Sequence, residues 1–596
     1  MPEEYRLAVD TGGTFTDLIV NGNRLYKSPT TPDDPVRGIL NALGIAAQNL
    51  GLTRRDLLAR TVQFVHGTTR ATNAVINGET ARTAMFLTKG HPDILLWREG
   101  GRVGTFNFSS PYPEPYIPRH LTYEIPERIG SGGEVVQPLD EAAAISVIER
   151  VAAARIEAVA VCLLWSVVNG QHERRIGALL RDHLAGVPFT LSHELNPTIR
   201  EYRRASSAAI DASLKPLMGA YLGSISERLA AEGLRKGVLV VTSAGGVLPA
   251  PNVGRRPIHS LASGPAAAPV AGRRFAAATG AVDTAIVTDA GGTSFDVSLV
   301  RRGVIPWTRE TRIGRSYLGP MTGFPSVDVK SIGAGGGSIA WVDEGGLLHV
   351  GPESAGAVPG PACYGQGGTR PTVTDACLVL GYLDPSFFLG GTMPLDRRKA
   401  EQAVTQHVSG PLRLSVEEAA AAIVTVTTEH MINAIEDIAI SQGVDPRVAS
   451  VIVGGGSGGF YAGMILQRLK MPQAIVPEGA AALSAIGALI SDLTSEFAET
   501  LPASTADFPI DKVNDVLRRL KQRATEFLKT VTDDAASTEV TFSVEARYPQ
   551  QIWELEVPLP GDVFQGADDV AKLRAGFHRV HEEVLSVADL DAEVET

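Results

Sequence analysis

Two short segments carry residues suited to holding a polyphosphate. Residues 10–17 read DTGGTFTD and residues 289–296 read DAGGTSFD. Both fit Asp-x-Gly-Gly-Thr-x-x-Asp; each follows an apolar strand pattern and precedes another apolar run, LIV or VSLV. A single Gly-Gly turn would mean little, because such turns join many hairpins. Two in matching contexts point to two related lobes. Polyphosphate recognition needs backbone N–H groups within hydrogen-bond reach, and side chains obstruct that approach. Gly12, Gly13, Gly291 and Gly292 remove the side chains, and Thr14 and Thr293 add hydroxyl donors. Asp10 and Asp289, at the strand ends, are suited to hold Mg²⁺ directly or through its waters.

A third glycine-rich element, VGGGSGGFYAG at 453–463, runs from a strand into a helix. Gly454, Gly455, Gly456 and Ser457 lie where an adenosine could rest against backbone and a helix N-terminus; a tight turn without a ligand is the alternative. Gly335 and Gly336, in GAGGGS (333–338), form another close-approach loop near the nucleotide or a packing turn. No Gly-x-x-x-x-Gly-Lys-[Ser/Thr] occurs, so the chain is not a P-loop enzyme.

Other residues are candidates for the acceptor side. His66 ends a strand pattern in VHGTTR, where it could contact a transferring phosphate or the substrate, or simply close the strand. Thr68, Thr69 and Asn73 follow at spacings that gather hydroxyls and an amide at a helix N-terminus, as an anion site or as a cap. Arg98 and Arg102 flank two glycines and could grip a carboxylate, bicarbonate or phosphate, or lie in a solvated loop. Glu201, Arg203 and Arg204 read as structural. His578 and His581 are spaced as two metal ligands would be, but no third ligand is in view.

These groups need a scaffold, and the pattern supplies one. Strand patterns at 5–10 and 17–20 flank the first turn, helices follow at 36–49 and 54–60, and a strand at 61–67. Residues 111–126 read as an extended Pro-rich crossing; Asp140 caps a helix at 141–154, and 157–165 is a buried strand. The second hairpin begins at 285, and 324–381 reads as loop-dominated. A long helix covers 415–442, followed by strand 450–456, helix 458–469, strand 473–477 and helix 482–490. Alternation of this kind is the mark of α/β layers. The tail has a charged helix at 510–530, two strand patterns and a helix at 567–585. The expected domains are therefore 1–200, 201–495 and an accessory α+β domain at 505–596.

With 54 Lys+Arg against 66 Asp+Glu, the net charge of −12 argues against a nucleic-acid binder. No apolar run approaches bilayer length, which argues against a membrane partner. The acidic start, MPEEYRLAVD, reads as no signal peptide, and three cysteines without metal spacing fit a reducing cytoplasm.

Taken in order, these segments resemble the actin–hexokinase–Hsp70 superfold and, within it, the hydantoinase A, oxoprolinase and acetone carboxylase family. The resemblance is carried by AVDTGGTFTD (8–17), VHGTTRATNAVI (65–76), LTKGHPDIL (87–95), REYRRASSAAIDASLKP (200–216) and SGPAAAPVAG (263–272). It continues through DAGGTSFDVSL (289–299), SIGAGGGSIAWVD (331–343), GPESAGAVPGPACYGQGGTRPTVTDA (351–376), GVDPR (443–447) and VPEGAAALSAIGALISDL (476–493). It implies an α/β fold of duplicated actin–hexokinase–Hsp70-like lobes with a C-terminal accessory domain. It implies an enzyme using ATP and Mg²⁺ to phosphorylate an inert carbonyl compound, within a hetero-oligomer with a hydantoinase B-like or carboxylase partner subunit. The substrate would be a ketone, activated with bicarbonate, or a cyclic amide or imide. WREGGR (97–102), RASSAAIDASLKP, SGPAAA and GGGSGGFYA depart from the hydantoinase-like pattern and lean toward the ketone-carboxylase branch. A nucleotide-switch or sugar-kinase-like protein of the same superfold and a non-catalytic nucleotide-binding scaffold subunit are the remaining alternatives.

Overall fold

The computed structural model describes residues 3–12, 15–31, 34–99, 107, 109, 112–279, 284–314, 318–391, 393–531 and 537–596. Gly13, Thr14 and Arg102 lie outside the described residues.

Two sheets have the same order and directions. In the first, Arg24–Pro29, Phe15–Val20 and Tyr5–Thr11 form an antiparallel meander; Thr61–Thr68 and Val238–Val241 then add in parallel, and Val247–Pro249 closes the edge. In the second, Val329–Ile332, Phe295–Arg301 and Thr284–Ala290 form the meander, and Ser450–Gly454 and Ala474–Ile475 add in parallel. Their central strands are apolar on both faces, as sheets covered on both sides require. The duplicated sequence pattern is thus a duplicated lobe, and each Gly-Gly turn joins the first two strands of its sheet.

Three features differ from the sequence reading. First, the expected boundary at 200/201 falls inside the first lobe, because Val238–Val241 pairs with Thr61–Thr68. Between these strands the chain inserts an all-parallel sheet, Phe189–Leu191, Ala158–Cys162, Thr83–Thr88 and Thr122–Ile125. Sequence proximity does not reveal such an insertion, since its flanks meet only in three dimensions. Helix Glu201–Ala231 ties the parts together, burying Tyr202, Ala205 and Ala209 in the core of the insert and Ile210, Leu214, Met218 and Leu222 in that of the lobe. Second, the Pro-rich crossing contributes a strand, with Ile117, Leu121 and Ile125 buried. Third, 324–381 keeps more regular structure between its loops than the sequence showed. It holds strands Val329–Ile332, Ser338–Val342 and Leu348–Ser354 and helix Val373–Val379, which glycines and prolines broke into pieces too short to read.

Helices Ser263–Ala278 and Leu483–Ile490 cross between the two lobe sheets. Their Ala267, Ala268, Ala271, Ala485, Ile486 and Leu489 form one core with Ala8, Ile19 and Val65 of the first sheet and Val287, Val300 and Ile452 of the second. Small residues set this spacing. A Cβ on Gly487 would overlap the Ala267 carbonyl, and one on Gly272 would overlap the Val287 side chain.

The tail, with helices Ile510–Lys529 and Ala567–Leu585 and the hairpin Ser543–Ala546/Leu555–Pro558, has its own small core around Leu517, Tyr548, Phe564, Leu573 and Phe577. It docks on both lobes through Arg200–Glu554 (3.1 Å), Arg309–Glu545 (2.6 Å) and Arg302–Glu583 (2.7 Å). Among the described residues no helix is long and apolar enough to cross a membrane.

Gly487→Val should destabilise the fold by at least about 3 kcal/mol, because the obstructing atom is backbone and cannot rotate away. Gly463, in helix Gly458–Leu469, has open space around it, so Gly463→Ala should leave stability unchanged or raise it by up to about 1 kcal/mol. Thermal unfolding of the two variants checks this; equal behaviour would mean that the interlobe crossing does not limit stability.

Candidate functional site

The described flanks of the two Gly-Gly turns match. Asp10 pairs with Asp17 and Gly12 N donates to Phe15 O at 3.0 Å; Asp289 pairs with Asp296 and Gly291 N donates to Ser294 O, also at 3.0 Å. Both hairpins contribute to one cleft of about 1640 Å³ between the lobes. Asp10, Thr68, Thr69, Thr72 and Asn73 line it from the first lobe, and Asp289, Gly291, Thr293 and Asp296 from the second. Gly292 has no neighbour where a side chain would stand.

The cleft gathers negative charge. Burial raises the pKa values of Asp10, Asp289 and Asp296, with mutual repulsion among the carboxylates adding to the effect; Asp10 and Asp296 are pushed up to about 7. Their surroundings differ. Lys27 binds Asp17 at 2.8 Å, Ser484 Oγ donates to Asp289 Oδ2 at 2.8 Å, and Ser331 donates to Asp296. Asp10 Oδ1 is out of contact with solvent and has no partner. A Cβ on Gly67 would come within 2.9 Å of that oxygen, so glycine is required opposite it. Repelling carboxylates with an orphaned oxygen suit a divalent cation. Among the described residues no group of three or more His, Cys, Asp or Glu side chains is placed to hold a metal. Mg²⁺ takes one or two carboxylates and fills its shell with water and phosphate oxygens.

The other glycine loops brace the second turn. Gly336 N donates to Gly291 O at 3.1 Å and Gly337 N to Gly292 O at 2.7 Å, while a Cβ on Gly335 would meet Gly291 O at 2.8 Å. Gly455 (φ +84°) presses on Ala290, a Cβ on Gly454 would come within 2.9 Å of Thr288 O, and Ser457 Oγ donates to the Ala290 and Gly291 carbonyls at 3.0 Å each. Gly456 alone among these has open space beside it. These contacts pack Gly335, Gly336, Gly454, Gly455 and Ser457 against the hairpin backbone.

On the acceptor side, His66 is fully buried, with Nε2 3.0 Å from the Tyr221 hydroxyl, and does not line the cleft. A side chain sealed in the core cannot touch a substrate, so His66 is a structural residue. Thr68 and Asn73 do line the cleft. Thr69 makes no side-chain cap to its helix; its hydroxyl instead accepts from Asn73 Nδ2 at 3.2 Å. Arg98 lines a separate cavity of about 470 Å³ and donates to the carbonyls of Leu318 (3.0 Å), Gly319 and Glu114 (3.2 Å each). Its Nη atoms are engaged by backbone, and its Nε is buried without a partner. Tyr548 and Val587 O occupy one ring nitrogen each of His578 and His581, which pack in the core of the tail rather than around a metal.

Sequence reasoning missed two walls of the cleft. The start of the interlobe helix, Ala262–Pro265, forms one. The other joins Arg203, Trp307 and Arg309 to Trp553 and Glu554 of the tail. Arg203 is nearly buried and pairs with Glu99 and Glu310 at 2.9 Å each. The SGPAAA string was the available signal for the first; only docking of the tail creates the second.

The hydantoinase/oxoprolinase profile matches residues 204–497, and that of the hydantoinase/oxoprolinase N-terminal region matches 6–184. The caprolactamase subunit alpha of Pseudomonas jessenii is 37% identical, over 100% of this chain and 86% of that protein. The acetophenone carboxylase gamma subunit of Aromatoleum aromaticum is 32% identical, over 97% and 81% respectively. The crystal structure of the ATP-dependent caprolactamase from Pseudomonas jessenii superposes with a TM-score of 0.87 at 36% identity, covering 99% of this chain and 87% of that one.

Burial depresses both His66 and His259 to about 4. Each stays neutral when folded but takes up a proton when unfolded below about pH 6.5, so its contribution is lost as pH falls from there toward 4. Between pH 7 and pH 5 the wild type should lose about 2 kcal/mol more stability than His66→Gln. Chemical denaturation at both pH values checks this, and identical losses would show that the imidazole is not held neutral.

Proposed function

The chain belongs to the hydantoinase/oxoprolinase family, and on that premise we propose that it is the ATP-hydrolysing subunit of an enzyme that phosphorylates a carbonyl oxygen. The carrying observation is the pair of matching hairpins meeting at one cleft, Asp10 lining it from the first and Asp289, Gly291 and Thr293 from the second. The two turns receive the phosphates at backbone other than the Gly12 and Gly291 amides, which close the turns themselves, with Thr293 beside them, and the open Gly456 lies on the adenosine side. Mg²⁺ held by Asp10 and Asp289 through its waters would neutralise phosphate charge. Phosphoryl transfer is mainly positioning and charge neutralisation, which this arrangement provides without a nucleophile of its own.

The acceptor we propose is a cyclic amide. Its oxygen forms the new P–O bond as the bond from the γ-phosphorus to the bridging oxygen breaks, and the electron pair leaves on ADP. Loss of the amide proton gives an O-phosphorylated imidate, which water can open. The caprolactamase relative supports this choice, at the higher identity and over the whole chain. A ketone with bicarbonate is the second reading, supported by the acetophenone carboxylase relative. The sequence departures that lean toward ketones bear largely on packing. Ile210, Ala212 and Leu214 are buried in the long helix, and Gly455 and Ser457 brace a turn. A partner subunit is proposed to complete the reaction, since the relatives are themselves named as subunits.

Asp10→Asn and Asp289→Asn should each lower ATP turnover by at least about 100-fold without lowering the unfolding temperature, since each removes a repelled charge. Wild-type turnover in either variant would remove that turn from the phosphates. With the partner present, phosphate release should rise with lactams. A rise only with ketone plus bicarbonate would transfer the assignment to the carboxylase reading.

A further inference from the structure

One face of a short helix runs from the first hairpin along the cleft. Helix Arg70–Asn77 begins three residues after Gly67, the strand partner of Asp10. It buries Ala71, Ala74 and Val75 in the core of the first lobe. Thr69, Thr72, Asn73 and Ile76 line the cleft instead. Their spacing in steps of three and four puts them on one side of the helix. Outward from the hairpin, this face is polar for its first turn and ends on a hydrocarbon side chain.

The polar residues differ in what they have left to offer. The Thr72 hydroxyl accepts from Ala262 N at 3.0 Å, and the Thr69 hydroxyl accepts from Asn73 Nδ2 at 3.2 Å. The Asn73 amide is therefore held by its donor end, and among the described residues its Oδ1 is left to accept a hydrogen bond. Asn73 is exposed, and Ile76 is 54% exposed. The wall opposite Ile76 carries no side chain: a Cβ on Gly314 would lie 3.8 Å from Ile76 Cγ1, and its φ of +83° favours glycine. A pocket for one small molecule usually spans roughly 300–1000 Å³, so this cleft of about 1640 Å³ has room for a nucleotide and an acceptor together.

We propose that this helix face is the acceptor subsite, and that Asn73 and Ile76 make it selective for a cyclic amide. The inference rests on the proposed function for the presence of an acceptor, and deepens it by naming the side chains that recognise the ring. A small ring holds its amide cis, so C=O and N–H share one edge and the methylenes form the opposite edge. With the oxygen turned toward the hairpins, the N–H meets Asn73 Oδ1 and the methylenes meet Ile76, in the order in which the helix presents them. Neither side chain is charged, which suits a neutral amide. A ketone offers an oxygen and methylenes but no N–H, so Asn73, oriented by Thr69, has nothing to receive from it.

Asn73→Ala and Ile76→Ser test the two contacts separately. Both positions are exposed, so both variants should unfold at the wild-type temperature. Calorimetry on the full chain, loaded with Mg²⁺ and a non-hydrolysable ATP analogue, compares lactams of increasing ring size with cyclic ketones of the same size. Wild type should bind each lactam at least about fivefold more tightly than its ketone. Asn73→Ala should bring the pair within about twofold by weakening the lactam alone. Ile76→Ser should weaken lactam and ketone alike, by at least about threefold and more for larger rings. Unchanged lactam affinity in a variant overturns that residue's contact, and absence of lactam binding to wild type overturns the whole proposal. Equal weakening of lactam and ketone in Asn73→Ala overturns the N–H contact. A ketone bound by wild type as tightly as its lactam overturns the selectivity. Loss of the analogue in either variant overturns the assignment too, by placing that residue in the nucleotide site. If wild type fails to bind the analogue, the ATP reading falls instead, and lactam and ketone titrated into the free protein still decide the subsite.

Discussion

Close packing of two small-residue helices between two twisted sheets is the constraint on which the rest of this protein depends. Gly487 against the Ala267 backbone and Gly272 against Val287 leave no room for a methyl group. Alanine-rich faces therefore bring the sheets close enough to share one core. That spacing fixes the distance between the two Gly-Gly turns, which project from the ends of those sheets. Packed interiors are nearly incompressible, so a change in the crossing would be felt at the cleft. The start of Ser263–Ala278 is itself a cleft wall, which makes the element that sets lobe spacing part of the site.

Within that spacing, the fold brings together carboxylates that repel. Lys27 pairs with Asp17 in the first lobe, whereas the equivalent Asp296 has the Ser331 hydroxyl as its partner. The lobes are therefore duplicates in backbone and unequal in charge. Asp10 has an oxygen with no partner, and Asp289 is steadied by Ser484 from the second interlobe helix. An arrangement that is unfavourable alone and favourable around a cation and phosphates concentrates binding energy on the liganded state. The two turns must stay close for it to operate, which is the role of the helix crossing.

The tail shapes the far end of the cleft. It is held less by shared core than by ion pairs from Arg200, Arg302 and Arg309, which reach it from both lobes. Partly exposed pairs of this kind are individually weak and respond to salt. Rigid packing around the turns and looser attachment of the far wall suit a site that must hold nucleotide firmly and exclude water from a reactive intermediate when its acceptor is bound.

The hairpins and several long helices were legible because they rest on local rules. Ser415 with Glu418 forms a capping box for helix Val416–Ser441, and Asp140 caps Glu141–Ala153. Glycine pairs between apolar strands mark turns, and two copies of one pattern revealed two lobes. The strands between 324 and 381 were hidden because each is short and interrupted by glycine or proline. Contacts between distant segments were not legible at all. A histidine at a strand end reads alike whether it faces a substrate or Tyr221, and only folding of helix Glu201–Ala231 over it decided the second. Arg98 reads as free until the Leu318 and Gly319 carbonyls arrive. Glycines at 335 and 455 read as ligand contacts until the hairpin backbone occupies the space they leave. The sequence by itself determined which local elements form and which residue types the site contains. The tertiary structure decided which of them reach the cleft, because burial and partnership depend on segments hundreds of residues apart.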